Sequence, residues 1–143
     1  MNVQILSDTA TLPTYGSTEA AGADLYANLT EAISIAPHHT EMIPTGIAIS
    51  VPKGYFGAVY ARSGLATKQG LRPANAVGVI DSDYIGELMV ALHNDADAIR
   101  YVNPGDRIAQ LVIQPYVTVD FNVVDALEKT ERGTGGFGST GSN

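Results

Sequence analysis

Apolar residues along the chain fall in short runs that predict β-strands. The runs are VQIL, GADLYA, EAISIA, TGIAISV, YFGAVYA, NAVGVI, GELMVALHN, DRIAQLVIQPYV and VDFNVV. Some alternate apolar and polar residues, as at Ile47, Ile49 and Val51, which is typical of a strand with one buried face. Others are almost entirely apolar, as strands buried on both faces are. No segment carries the long 3.6-residue stripe of an amphipathic helix.

Turn-forming residues separate the predicted strands. Pro37, Pro44, Pro52-Lys53-Gly54 and Asn103-Pro104-Gly105-Asp106 punctuate the chain in the manner of an all-β sandwich, barrel or jelly roll. One short helix is predicted at SGLATKQG, with Ser63 as its N-cap and Gly70 closing it in the left-handed conformation. We expect a single β domain over residues 1–131 and a flexible C-terminal arm over residues 132–143.

Composition narrows the classes of protein and partner. The chain has 143 residues and 45% hydrophobic residues, enough for one domain with a sizeable core. Its net charge of −7 disfavours long nucleic acids and anionic membranes, although a small anion can bind where arginines converge. The absence of cysteine excludes disulfides and thiolate metal sites and fits a cytoplasmic protein. No signal peptide or membrane-spanning run is recognisable.

The Gly-rich stretch RGTGGFGSTG at residues 132–141 has nearly the spacing of a phosphate-binding P-loop. Ser139 replaces the lysine of that motif, and too few residues follow to form the helix that a P-loop requires. Two interpretations remain. The stretch is a plain flexible tail, or it is an arm that closes over an anion and a flat ring, for which Arg132 and Phe137 are suited.

Other stretches carry candidate binding groups. Arg62 and Ser63 begin the predicted helix, where a phosphate would be favoured, or they are a surface arginine beside an ordinary cap. Residues 75–94 are predicted to form a β-hairpin with DSDYIG at its turn. There, Asp81 is either a turn residue or a group that positions water, with Tyr84 as a flat platform beside it.

Further polar residues can also be interpreted either as functional groups or as ordinary structural residues. Asp24, Asp106, Arg107 and Gln110 are the candidates from AGADLYA and NPGDRIAQLVIQPY, and turn chemistry is the alternative for Asp106 and Arg107, which follow a Pro-Gly turn. His93, Asp95 and Asp97 alternate and could place three metal ligands on one face, although a solvated loop end explains them better. We therefore predict no metal site built from protein ligands.

Taken together, five stretches resemble the five motifs of the trimeric dUTPases. AGADLYA, ARSGLA, NAVGVIDSDYIGEL, GDRIAQLVIQ and RGTGGFGSTG occur in the family's order between residues 21 and 141. The resemblance implies a homotrimer of distorted jelly-roll (β-clip) subunits. It also implies active sites at subunit interfaces, each closed by the C-terminal arm of another subunit.

The resemblance also implies a role for each matching position. Arg62, Ser63 and Gly64 would contact the phosphates, and Asp81 would touch the 3′-hydroxyl and orient the attacking water. Tyr84 would pack under the sugar where a 2′-hydroxyl would clash. The pocket for uracil and deoxyribose would be lined by Asn75, Gly78, Val79, Ile80 and Met89.

The remaining implied roles concern the arm and the groups near it. Phe137 would stack on the uracil. Arg132, Gly138 and Ser139 would contact the nucleotide, mainly its β- and γ-phosphates. Asp24 and Gln110 would act nearby through water molecules. Asp106 would pair with Arg132 once the arm closes.

The implied reaction is hydrolysis of dUTP to dUMP and pyrophosphate by attack of water at the α-phosphorus. It would limit uracil incorporation into DNA and supply dUMP for dTMP synthesis. Mg²⁺ would be held by the phosphates and water, which suits an ion that keeps its hydration shell. The related dCTP deaminases carry a glutamate where this chain has Ala91, three residues before Asn94, so deamination is not expected. A non-catalytic nucleotide-binding protein on the same scaffold is the other alternative, but Asp81 and the arm are both present.

Overall fold

The computed structural model describes residues 1–136, which fold into strands and one short helix. The elements are β1 (Asn2–Ile5), β2 (Thr14–Tyr15), β3 (Ala23–Tyr26), β4 (Ile33–Ile35), β5 (Thr40–Ser50), β6 (Tyr55–Tyr60), α1 (Ser63–Gln69), β7 (Leu71–Pro73), β8 (Gly78–Ile80), β9 (Glu87–Asn94), β10 (Arg100–Val102) and β11 (Arg107–Pro115).

Two antiparallel sheets make up most of the fold. One has the strand order β1-β5-β9-β7, the other has the order β2-β3-β11-β6-β8, and β10 pairs with β4 in a small third sheet. Every pairing is antiparallel. The core consists of aliphatic side chains from the sheets, including Leu25, Ile35, Ile43, Ile47, Leu71, Leu88, Val90, Leu92 and Ile108. The predicted all-β, jelly-roll-like fold with one short helix is confirmed.

Strand β9 shows how a strand pattern directs side chains. Leu88, Val90 and Leu92 are buried, whereas the alternate residues face outward. Asn94 ends the strand and is also fully buried. Its side-chain amide donates to the carbonyl oxygens of Ile35 (2.9 Å), Ala36 (3.2 Å) and Ala98 (2.9 Å), and its oxygen accepts from the Ala96 N–H (2.9 Å). These bonds satisfy a polar group that would otherwise destabilise the core.

The predicted β-hairpin over residues 75–94 is wrong. Strand β8 pairs with β6, whereas β9 pairs with β5 and β7 in the other sheet. Residues 81–86 therefore connect two sheets, with a local turn in which the Tyr84 N–H donates to Asp81 O (3.2 Å). Two apolar runs joined by a turn look the same in sequence whether they pair with each other or with other strands.

Other boundaries also differ from the prediction. Pro44 lies inside β5, where the pairing with β9 is irregular between Pro44 and Ala48, a position at which a sheet tolerates proline. The predicted strand VDFNVV is wrong, because residues 119–124 form no strand. Strands β2, β7 and β10 are too short to give a recognisable pattern.

The predicted helix is present as α1, but its cap is displaced by one residue. Arg62 is the N-cap residue and makes no side-chain capping bond, so Ser63 is the first helical residue rather than the cap. The C-terminal prediction is confirmed, because Gly70 has a φ of 70° and its N–H donates to Ala66 O (3.1 Å). Within residues 1–136, no helix has the length and apolar character needed to cross a membrane.

Candidate active site

Arg62 is held in place by a carboxylate on a neighbouring strand. Its Nε donates to Asp24 Oδ1 at 2.7 Å, and Arg107 Nη1 donates to Asp24 Oδ2 at 3.2 Å. Asp24 lies on β3, and Arg107 begins β11, which pairs with β3. The Asp24 side chain is 13% exposed and that of Arg62 is 27% exposed. The carboxylate thus fixes one edge of the Arg62 guanidinium in a partly desolvated setting, where such pairs are strongest.

Gln110 supports the same region from β11. It lies opposite Asp24 on β3 and opposite Tyr60 on β6, and its Nε2 donates to Ala61 O at 2.9 Å. A Cβ on Gly22 would lie only 2.7 Å from Gln110 Oε1, so glycine at this position leaves room for the amide. Gly22 lies in AGADLYA, but nothing in the sequence alone indicates this role.

These groups line the first of two candidate concavities. Arg62 and Lys68 give it positive charge, and Ser63 and Gly64 are exposed at its rim. A guanidinium and an ammonium group beside a hydroxyl suit a phosphate-bearing ligand. The lining residues are Asp24, Arg62, Ser63, Gly64, Leu65, Lys68, Gln69 and Gln110.

The second concavity lies between β8, the connection that follows it, and residues of β5 and β9. It is mostly apolar, with the exposed Asp81 and the half-exposed Tyr84 on its wall. An apolar slot with a single exposed carboxylate and a phenol ring suits a flat base and a sugar. The lining residues are Met42, Val79, Ile80, Asp81, Tyr84, Glu87 and Met89.

Asn75 and Gly78 lie beside the second concavity rather than in its wall. The Val77 N–H donates to Asn75 O at 2.6 Å, and Ala76 has a φ of 59° in this tight turn. A Cβ on Gly78 would lie 3.1 Å from the Val59 side chain and 3.4 Å from Asn75 Nδ2, so the lack of a side chain lets Asn75 approach β8.

The two concavities have no lining residue in common. Within one chain, Asp81 therefore lines a different concavity from Arg62, Ser63 and Gly64. In residues 132–136, the described part of the arm, Arg132 Nε donates to Gly135 O (2.9 Å) and to neither concavity. Asp106 accepts from Asn103 N (2.8 Å) and Nδ2 (3.2 Å) within its own turn. The predicted contacts of Phe137, Gly138 and Ser139 lie outside the described residues.

The alternative metal face of His93, Asp95 and Asp97 is not formed. Asp95 accepts both Arg72 Nε (2.6 Å) and Arg72 Nη2 (2.9 Å), and Asp97 contacts His38 (3.0 Å). The hydrogen bond from Arg72, with its positive charge, lowers the pKa of Asp95 below the usual value of 3.8. No group of three or more potential ligands that could hold a metal occurs within residues 1–136.

Comparison with known proteins agrees with the motif order. The family model for dUTPase matches residues 8–141, nearly the whole chain. The chain belongs to the dUTPase family. This membership confirms the resemblance predicted from the five motifs. The residues that line both concavities lie within the matched range.

Relatives of the chain in the dUTPase family are found among bacteria and phages. The deoxyuridine 5′-triphosphate nucleotidohydrolase of Desulfitobacterium hafniense is 52% identical over 131 residues, covering 91% of this chain and 87% of the relative. That of Paraburkholderia phytofirmans is 48% identical over 133 residues, covering 92% and 90%. A structure of Staphylococcus bacteriophage 80alpha dUTPase with dUPNHPP aligns with a TM-score of 0.89 at 30% identity, covering 99% of this chain and 98% of the phage chain.

Proposed function

We propose that this protein hydrolyses dUTP to dUMP and pyrophosphate by attack of water at the α-phosphorus. The proposal rests on sequence identity. Over about nine-tenths of the chain, about half of the aligned residues are identical to those of enzymes named for this reaction. A phage enzyme of the same fold is described with dUPNHPP, which gives independent support for nucleotide binding on this scaffold.

Asp81 is assigned as the group that orients and deprotonates the attacking water. Its exposed carboxylate projects from the turn after β8 and lines the apolar concavity, next to Tyr84. A base must lie within hydrogen-bonding reach of the water it activates, and an exposed carboxylate at the mouth of a nucleotide pocket meets that need. Val79, Ile80 and Met89 would contact the uracil and deoxyribose, with Asn75 and Gly78 shaping the turn behind them.

Arg62, Ser63 and Gly64 are assigned to the phosphates. Arg62 donates its Nε to Asp24 and its Nη1 to Arg107 O at 3.5 Å, which leaves Nη2 for an anion. Lys68 adds a second positive charge to the same concavity. Gln110 supports this wall through Ala61 O. Stabilising the charge that develops on the departing pyrophosphate is the main task of such groups. Arg132, Phe137, Gly138 and Ser139 of the arm would complete the site.

The residues near the phosphate concavity fit Mg²⁺ held by the substrate rather than by the protein. Asp24 supplies the carboxylate among the residues that line this concavity, and both of its oxygens already accept from guanidinium groups. Mg²⁺ keeps most of its water and binds phosphates readily. When bound there, the ion would neutralise charge on the triphosphate.

A homotrimer with shared sites is the assembly that we assign. Residues 116–134 are exposed in the single chain, and they include apolar side chains that are almost fully exposed, such as Phe121 (94%) and Val123 (102%). Side chains of this kind are normally covered by a partner. A second copy could cover them and carry its arm to a neighbouring site, joining the two concavities. The division into a domain over residues 1–131 and an arm over 132–143, and a cytoplasmic location, belong to this proposal.

The nucleotide selectivity of the enzyme follows from two positions. Tyr84 is assigned to exclude a 2′-hydroxyl. Ala91 lies on the outward face of β9 together with Met89, and its methyl group can neither donate nor accept a proton. The glutamate chemistry that a deaminase would need at this position is therefore missing, and dCTP is expected to remain intact.

One assay tests the proposal. Pyrophosphate release is measured with dUTP, dCTP, dTTP and UTP side by side, with and without Mg²⁺, and nucleotide products are separated by chromatography. We expect rapid formation of dUMP from dUTP with Mg²⁺ and very slow reaction of the others. Tight binding of dUTP without turnover would favour the non-catalytic alternative, and appearance of dUTP or dUMP from dCTP would restore the deaminase.

A further inference from the structure

The ring of Tyr84 is tied down at both of its ends, although 45% of the residue is exposed. At the main chain, its N–H donates to Asp81 O at 3.2 Å. At the far end of the ring, the hydroxyl donates to Glu87 O at 2.9 Å. The phenol therefore folds back across its own turn instead of extending into solvent.

Gly86 provides the space for this arrangement. A Cβ placed on Gly86 would lie 2.6 Å from Tyr84 Oη, 2.8 Å from Cζ and 3.1 Å from Cε2. Carbon atoms do not approach a ring this closely, so any side chain at position 86 would displace the ring. Gly86 does not have a left-handed φ, so its backbone conformation alone does not require glycine.

Glu87 fixes the acceptor to which the ring is bound. Its Oε1 accepts the Gly46 N–H at 2.8 Å, and Gly46 has a φ of 69° in the irregular part of β5. The turn that carries Tyr84 leaves β8, in the five-stranded sheet, whereas Glu87 begins β9 in the four-stranded sheet. The Tyr84 hydroxyl thereby links the ends of two sheets, and the ring plane is set by both.

We propose that Gly86 is a positioning residue for Tyr84 and, through it, determines the preference for deoxyribose over ribose. The inference rests on the proposed function, which places Tyr84 under the sugar. Rejection of one extra hydroxyl by packing depends on a wall that cannot retreat, since apolar surfaces discriminate weakly against an added hydroxyl when they can yield. With an alanine at position 86 the ring moves, and space for the 2′-hydroxyl opens.

The experiment compares kcat/KM for dUTP and UTP, with Mg²⁺, in the full-length protein and its variants. Gly86→Ala is expected to lower the dUTP/UTP ratio at least about tenfold, chiefly by raising kcat/KM for UTP. Gly16→Ala is the matched control, because Gly16 is exposed, has no left-handed φ and would place its Cβ against no atom within 4 Å. The control should keep the ratio of the unmodified protein.

Tyr84→Ala separates failure of this inference from failure of the proposed function. If the unmodified protein uses UTP as well as dUTP, or if Tyr84→Ala leaves the ratio unchanged, the assigned role of Tyr84 is wrong. If Tyr84→Ala lowers the ratio and Gly86→Ala does not, the role of Gly86 is wrong. The double variant should match Tyr84→Ala, since no ring remains to be displaced, and a further fall would contradict the mechanism.

Tyr84→Phe tests the same anchoring without adding an atom, which covers the case in which Gly86→Ala does not fold. It removes the hydroxyl and its bond to Glu87 O but keeps the ring. We expect a lower dUTP/UTP ratio with a nearly unchanged KM for dUTP. An unchanged ratio would show that the bond to Glu87 does not hold the ring and would overturn the inference.

Discussion

Asp24 illustrates how one partly buried carboxylate can orient a cationic site. Its two oxygens accept hydrogen bonds from Arg62 and Arg107. The negative charge of the carboxylate offsets the repulsion between the two guanidinium groups. The Arg107 side chain is 52% exposed and contributes less desolvation cost than Arg62. This arrangement fixes the orientation of Arg62 before an anion binds. Such preorganisation is what makes charge stabilisation efficient.

Replacement of Asp81 by asparagine tests its assignment as the base. Asparagine keeps the size of the side chain but cannot accept a proton from water, so we expect kcat to fall at least about 100-fold while dUTP binding and oligomeric state are retained. Asp83→Asn is the matched control, because Asp83 lies in the same turn and is exposed but does not line the concavity. Turnover close to normal in Asp81→Asn, measured by pyrophosphate release, would refute the assignment.

Residue identities predict the chemistry of the site better than the packing that supports it. Each stretch alone left Arg62 and Asp81 with a local structural alternative, and the resemblance to the dUTPase motifs is what assigned roles to Arg62, Asp81 and Tyr84. Gly22 and Gly86 matter for the space that they leave beside Gln110 and Tyr84, and that space depends on neighbours that only the fold brings close. A glycine in a turn reads simply as a turn residue until its neighbours are known.

At the scale of elements, local pattern predicted strand existence better than strand pairing. NAVGVI and GELMVALHN both contain strands, yet each joins a different sheet. Pairing is decided by which faces must be buried across the whole core, and a short apolar run such as Gly78–Ile80 carries too little information to choose. The consequence is functional, because the connection between sheets leaves Asp81 and Tyr84 at an edge instead of at a hairpin tip.

The link between β7 and the end of β9 gives a prediction about pH. Arg72 lowers the pKa of Asp95, so the ionised carboxylate stabilises the fold above the unfolded value of 3.8, and this contribution is lost as pH falls through the lower folded pKa. Thermal melting of Asp95→Asn should show a slightly lower Tm than the unmodified protein at neutral pH. The gap should close in strong acid.

Asp8→Asn serves as the control for that measurement, because Asp8 is exposed and makes no side-chain hydrogen bond among the described residues. Its Tm should follow that of the unmodified protein at every pH. Since the Asp95 pair is exposed, its effect is also expected to shrink with added salt. A Tm gap for Asp95→Asn that stays constant from neutral to strongly acidic pH would contradict the assignment of the pKa shift to folding.

At the scale of the whole molecule, two features of the single chain suggest that it associates with further copies of itself. Its phosphate and base concavities are separate, and its C-terminal stretch from residue 116 exposes apolar side chains. A closed ring of identical subunits with head-to-tail contacts would repeat one interface around the ring, so a single pairing of surfaces would complete every site. The assembly would thereby make catalysis depend on association.

Subunit mixing tests whether the arm of one chain serves a site on another. A chain ending at Glu131 lacks residues 132–143 but keeps Asp81, whereas an Asp81→Asn chain keeps the arm but lacks the base. Each variant alone should be nearly inactive, since closure excludes water and completes the charge around the phosphates. If arms cross between subunits, refolding the two together at equal amounts should restore about a quarter of the sites by chance assortment.

The mixing experiment distinguishes crossed arms from arms that close their own chain's site. In the second case no combination unites an intact Asp81 with an intact arm, so activity stays at the level of the separate variants. Mixing the truncated chain with a truncated Asp81→Asn chain controls for effects of refolding and should restore nothing. The truncated chain should also melt near the temperature of the full chain, because residues 132–136 are largely exposed and contribute no side chain to the core. Native mass spectrometry checks that mixed oligomers form. Mixed oligomers without recovered turnover would show that the arm does not cross.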